Sequence, residues 1–271
     1  MKMKLKQQTI HFLTLMFMLT LAASVRVANA SEVCMNTSNG NGGSIAYYPY
    51  LFNNNTFGWS NDKNGSSECL TLNYTNGANN GVYYDGFGST WDWPTNTPTQ
   101  YDVKAYPSVV YGWQYGYTYS GLGLPAVIYD NTNVPVYMSY NITGSQSEDL
   151  LIDNWILSTP NASAQYAEME VFVTDTFSEQ TSGNLGSITL DNIFYYVSDR
   201  NAGAWEAYNF IPNNNSTSGT ASLNMKDFVN ALVYDYGVFP NSKYLGGTQV
   251  GMEIYQGDGG ITFNPVAIST N

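Results

Sequence analysis

The sequence predicts a single-domain, all-β sandwich or barrel. Short runs of β-branched and aromatic residues recur, separated by clusters of Asn, Gly, Ser and Pro. A single stretch near the C-terminus has helical spacing instead. About 240 residues follow an N-terminal leader, which suits one large β domain with its own core better than two small ones.

The first element is a leader. Lys2, Lys4 and Lys6 open it, residues 12–27 are mostly apolar, and Ala28-Asn29-Ala30 gives a small-x-small cleavage site. This reads as a signal peptide over 1–30, with the mature domain spanning 31–271 and secreted to the extracellular space. The alternative is a retained membrane anchor, but the run is short for a span and carries Arg26. Strands are expected at 44–48, 69–74, 81–84, 109–113, 136–142, 168–174, 187–197 and 204–211. Over 224–236, Met225, Phe228, Val229, Leu232 and Val233 fall at helical spacing. Ser222 or Asn224 would cap this helix and Gly237 would stop it. Strands at 248–256 and 260–268 close the chain. There is no internal repeat or linker.

Composition removes several chemistries. The one histidine, His11, lies in the leader, which excludes His-based triads and His-ligated zinc from the mature chain. Cys34 and Cys69 form an isolated pair, in a secreted chain most simply one disulfide. Nine basic residues face 21 acidic ones, and four of the nine (Lys2, Lys4, Lys6 and Arg26) belong to the leader. Such an acidic surface repels phosphate backbones, so nucleic acid is not an expected partner. Scarce charge also suits an acidic habitat, where few carboxylates need protonation. Glycosylation sequons stand at Asn36, Asn54, Asn64, Asn73, Asn141, Asn161, Asn214 and Asn215.

Two strands carry carboxylates. Alternation puts Met169, Val171 and Val173 on one face, and Glu168, Glu170 and Phe172 on the other. It likewise opposes Val250, Met252 and Ile254 to Gly251, Glu253 and Tyr255. Carboxylates beside aromatic rings suit glycoside hydrolysis. Sugar rings stack on aromatics, one carboxylic acid protonates the leaving oxygen, and one carboxylate attacks the anomeric carbon. A merely solvated sheet face is the competing reading of the same pattern.

At these residues the chain resembles glycoside hydrolase family 12. Its members carry Glu-Leu-Met-Ile-Trp-Leu around the nucleophile, matched here by Glu168-Met169-Glu170-Val171-Phe172-Val173. Their Gly-x-Glu-x-aromatic-x-Gly run around the acid/base is matched by Gly251 to Gly257, with Glu253 at its centre. Asn54-Asn55-Thr56-Phe57-Gly58 is similar to the family's Asn-Asn-x-Trp-Gly, and Val103-Lys104-Ala105-Tyr106-Pro107-Ser108 to Val-Lys-Ser-Tyr-Pro-Asn. Cys69 follows at the distance of the family's disulfide to Cys34.

The resemblance spans about Cys34 to Ile268. It implies a β-jelly-roll of two curved antiparallel sheets with one α-helix and a substrate cleft along the concave face. It also implies retaining endo-hydrolysis of β-1,4-glucans without cofactor or metal, by a monomer free of the membrane once the leader is removed. Glu168 would be the nucleophile and Glu253 the acid/base. Phe57, Trp59, Lys104, Tyr106, Trp113, Asn141, Glu170, Phe172 and Tyr255 are the candidate substrate-binding residues.

Two departures stand out. Asn141 aligns where the family often has an Asp supporting the nucleophile, and Glu170 replaces a Met of the cleft. Two residues along a strand, Glu170 lies within roughly 7 Å of Glu168, which disfavours ionising both. Glu170 is also the rival for the nucleophile's role. Three other readings compete: a non-catalytic lectin-like sandwich, a jelly-roll glycosidase acting on xylan or xyloglucan, and a surface-layer component. Paired carboxylates are the feature that binding alone does not need.

Overall fold

The computed structural model describes residues 28–36, 39–61, 65–76, 82–115, 117–144, 147–175 and 183–271. The expected leader up to residue 27 and the sequon at Asn64 lie outside them. In chain order the strands are β1 (Ala28–Cys34), β2 (Ser44–Tyr47), β3 (Tyr50–Asn55), β4 (Ser67–Asn76), β5 (Val82–Trp93), β6 (Tyr106–Gln114), β7 (Tyr117–Thr118), β8 (Ala126–Val127), β9 (Pro135–Gly144), β10 (Glu148–Leu157), β11 (Ala167–Phe172), β12 (Gly186–Leu190), β13 (Ile193–Asn201), β14 (Glu206–Pro212), β15 (Ser218–Asn224), β16 (Tyr244–Ile254) and β17 (Gly257–Ile268). One helix, α1 (Met225–Asn230), runs on into a π-type turn at Ala231–Asp235.

The strands form two sheets. The smaller has the order β1-β4-β5-β17-β9-β15, and the larger β2-β3-β6-β16-β10-β11-β14-β13-β12, with β7 and β8 at its side. Neighbours are antiparallel except β11 and β14, which are parallel. Each sheet turns one side-chain set inward. Met169, Val171, Val250 and Met252 of the larger meet Leu70, Phe87, Met138 and Phe263 of the smaller in one core. Phe87 and Phe263 stack there at 4.4 Å, and Phe52 meets Phe87 edge-on at 5.5 Å. Alternation thereby frees the outer face of the larger sheet for other work. Cys34 and Cys69 are disulfide-bonded at directly paired positions of β1 and β4.

Several sequence expectations change here. The run 187–197 is two strands, because Asp191 and Asn192 both adopt positive φ (50° and 64°) and close a two-residue hairpin. The helical stretch expected over 224–236 runs over 225–235, α-helical in its first half and π-helical in its second. Asn224 sits at its N-cap position without capping through its side chain, which instead bonds the Val134 N–H and Asn133. Gly237, at φ 65°, ends the helical stretch as its sequence suggests. β10 was not anticipated. It is buried along its whole length, so its sequence shows an apolar run rather than alternation.

Candidate active site

A groove of about 990 Å³ crosses the outer face of the larger sheet. Alternation along its three central strands supplies the acidic floor: Asp153 from β10, Glu168 and Glu170 from β11, and Glu253 from β16. In register, Asp153 faces Glu170 on one side and Gln249 on the other. Glu168 lies opposite Trp155, and Glu253 opposite Asp149. Phe57, Tyr101, Tyr115, Trp155, Trp205 and Tyr255 are among the aromatics lining the walls.

Each acid has a donor. The Trp205 indole N–H donates to Glu168 Oε2 at 2.8 Å. Arg200 Nη2 donates to Glu170 Oε1 at 2.7 Å, forming an ion pair. Gln249 Nε2 donates to Asp153 Oδ2 at 2.7 Å, and Ser108 Oγ in turn donates to Gln249 Oε1. The Tyr255 hydroxyl donates to Glu253 Oε2 at 2.9 Å. Tyr106 lies between the acids, its hydroxyl within bonding reach of the Leu151 and Gln249 carbonyls. Its ring packs over Gly251, where a Cβ would come within 2.9 Å of Tyr106 Cε2 and 2.6 Å of the Pro107 carbonyl. A side chain at that glycine would displace the floor beside Glu253.

The electrostatics follow from burial. Desolvation holds the Asp153 carboxyl well above its ordinary value, Glu168 and Glu170 add to this, and Arg200 opposes it. Tyr106 is pushed up first by burial, then by Asp153 and Glu253. Tyr115 rises to about 12, chiefly from burial, while its hydroxyl accepts a 2.9 Å bond from Gln165.

Of the residues singled out from sequence, Glu168, Glu253, Phe57, Tyr106, Glu170 and Tyr255 line the groove. Phe57 is 63% exposed, as a stacking platform requires. Five do not line it. Asn141 lies on β9 of the opposite sheet, paired with Ser218 and Thr262 and exposed to solvent. It cannot support Glu168, and Asp153 is the carboxyl beside the nucleophile candidate. Lys104 is wholly buried, its ammonium bonded to the Thr99 and Asp102 carbonyls. Trp113 is buried with Trp155 and Leu157, and Phe172 with Tyr106 and Leu151, beneath the groove rather than in it. Trp59 packs over Gly40 against the core. Of the sequons, Asn54 is buried, its amide bonded to the Val33 and Glu68 carbonyls, and is closed to glycosylation.

Asp153, Arg200, Trp205 and Gln249 were missed. Asp153 had a signal, since an acidic residue inside the apolar run 150–157 needs a reason to be there. Trp205 and Arg200 had none, because only the parallel pairing of β11 with β14, flanked by β13, brings them to Glu168 and Glu170.

A two-sheet jelly-roll with carboxyls converging among aromatics in a long groove defines a β-sandwich glycoside hydrolase. No protein-family model matches the sequence. Endoglucanase S of Pectobacterium parmentieri is 29% identical over 225 residues, 78% of this chain and 80% of that protein. The native family 12 xyloglucanase of Bacillus licheniformis superposes with a TM-score of 0.74 at 25% identity, over 90% of this chain and all of that one. Endoglucanase 3 of Trichoderma harzianum, from the same family, gives 0.69 at 20% identity over 92% of this chain and all of that one. In sequence and in fold the chain is thus similar to endoglucanases and family 12 glycoside hydrolases.

Proposed function

We propose that the chain is a secreted, retaining endo-β-1,4-glucanase that cuts internal bonds of cellulose or related β-glucans as a monomer. One observation carries this reading: Glu168 and Glu253, from separate strands, enter one open groove, each bonded to a donor from a neighbouring aromatic. The Trp205 N–H favours ionised Glu168, which attacks the anomeric carbon. Glu253 protonates the departing oxygen and then serves as base for water. Burial first, and then Glu168 and Glu170, disfavour a charge on Asp153, which eases the crowding of anions beside Glu168. The leader pattern and the Cys34–Cys69 disulfide support secretion.

The test is reducing-end release from carboxymethyl cellulose, mixed-linkage glucan, xyloglucan and xylan. Glu168→Gln and Glu253→Gln are each expected to lose at least about a thousandfold in kcat while melting like wild type. Melting temperatures that fall along with activity would assign structural roles instead. Trapping with a fluorinated glycoside should label Glu168, and a label on Glu170 would move the nucleophile. The 25% identity to a xyloglucanase favours xyloglucan as a second substrate, which the same panel reads.

A further inference from the structure

Glu253 has a carboxyl neighbour that the mechanism above does not use. Asp149 of β10 pairs directly with Glu253 of β16. Leu151, Asp153 and Trp155 line the groove from β10, and Asp149 shares their side of the strand by alternation. Directly opposed residues on one face hold their Cβ atoms about 4.5–5.5 Å apart. Asp149 is wholly buried, whereas Glu253 reaches the groove. We infer that Asp149 is a positioning residue for the general acid: as a neutral carboxylic acid it donates a hydrogen bond to the carboxylate that Glu253 becomes. This rests on the assignment of Glu253 as acid/base.

The chemistry fixes the sign. In the first step the Glu253 proton passes to the glycosidic oxygen, the C–O bond breaks and Glu253 is left anionic. An ionised Asp149 beside it would oppose that charge, because two buried carboxylates at this spacing cannot both ionise cheaply. A protonated Asp149 stabilises it and keeps its own proton throughout. The other groups around the pair leave this sign intact. From β16, Tyr255 already donates to Glu253. From β6, the Tyr106 hydroxyl points to the Leu151 and Gln249 carbonyls. Along β10, Asp153 lies two alternations on, bonded to Gln249, and Glu148 bonds the Ser147 N–H. Asp175 follows β11, where the Thr174 hydroxyl bonds the Leu150 N–H. In the 101–104 segment beside Ala105 and Ile254, Lys104 commits its ammonium to the Thr99 and Asp102 carbonyls. The pair therefore favours work in acid, where Asp149 holds its proton and Glu168 is still ionised.

The decisive variant is Asp149→Asn, whose amide donates at every pH. Its kcat/KM optimum on a polysaccharide should move up by about one pH unit. The difference should vanish on a dinitrophenyl cellobioside, whose leaving group departs without a proton. A profile that is unchanged, or moved down, overturns the inference. Should the variant fail to fold, carbon-13 titration of the wild-type carboxyls decides: Asp149 and Glu253 should titrate together in two steps, and independent single steps overturn the pairing. Glu253→Gln separates the two readings. Wild-type activity in that variant sinks the acid/base assignment itself, whereas an inactive Glu253→Gln with an unshifted Asp149→Asn sinks this inference alone.

Discussion

The two sides of the groove floor, β11 and β16, treat their acids differently. Around Glu168 stand Asp153 and Glu170, with the Arg200 cation and the Trp205 N–H among them. Around Glu253 stand Asp149 and the Tyr255 and Tyr106 phenols, and the nearby Lys104 is tied to backbone carbonyls. Charged and indole donors on the first side support an anion. On the second side the donors are neutral hydroxyls beside a buried carboxyl. One sheet face thus gives two like side chains different surroundings, the kind of asymmetry that the proposed nucleophile and acid call for.

The largest expected change comes from attacking the anionic side at its centre. Asp153→Asn should lower kcat about a hundredfold, because the amide reorganises the Gln249 bond and shifts Glu168. Steady-state kinetics against intact circular dichroism would check it, and near wild-type kcat would show that Glu168 needs no such partner. Arg200→Met comes next. Arg200 is the cation of this carboxyl cluster and opposes the rise at Asp153. Without it the cluster, Glu168 included, holds protons to higher pH, so the acid limb of kcat/KM should move up, costing about tenfold on the acid side. The variant should also destabilise the fold by stranding buried Glu170, and adding Glu170→Met should restore the melting temperature.

Phe57→Ala probes the wall rather than the floor. Losing the aromatic contact should raise KM about fivefold and leave both pH limbs in place. A moved limb would show that the wall and the acids are not separable. The smallest effect serves as a control away from the groove. Burial lifts the Glu68 carboxyl well above its ordinary value, with the Trp93 N–H acting against this. Folding favours its neutral form, so the stability it supports is present at low pH and lost as pH rises through the folded value. Glu68→Gln should flatten the fall of melting temperature over that window without touching the activity profile.

Both strand motifs were legible because Glu168 and Glu253 each sit in a clean two-residue alternation with core residues between. Tyr255 followed from the same alternation, and Phe57 and Tyr106 from the family-like runs 54–58 and 103–108. Failure came where local pattern and tertiary placement part. The 139–141 run looked like the strand that supports the nucleophile, yet it lies in the other sheet, and the true neighbour was hidden in a strand buried on both faces. Lys104 read as a substrate-binding residue because nothing in sequence announces that its stem is buried and its head satisfied by carbonyls. Arg200 and Trp205 depend on a strand order that no short run encodes.

The parallel seam between β11 and β14 has an evolutionary corollary. Since β12 and β13 intervene along the chain, the side chains that touch Glu168 and Glu170 arrive from β13 and its turn into β14, not from the strands that bear the acids. Drift in that turn can retune the surroundings of Glu168 while the central strands stay untouched. Lineages of this enzyme could therefore adapt to new conditions by rewriting one peripheral hairpin.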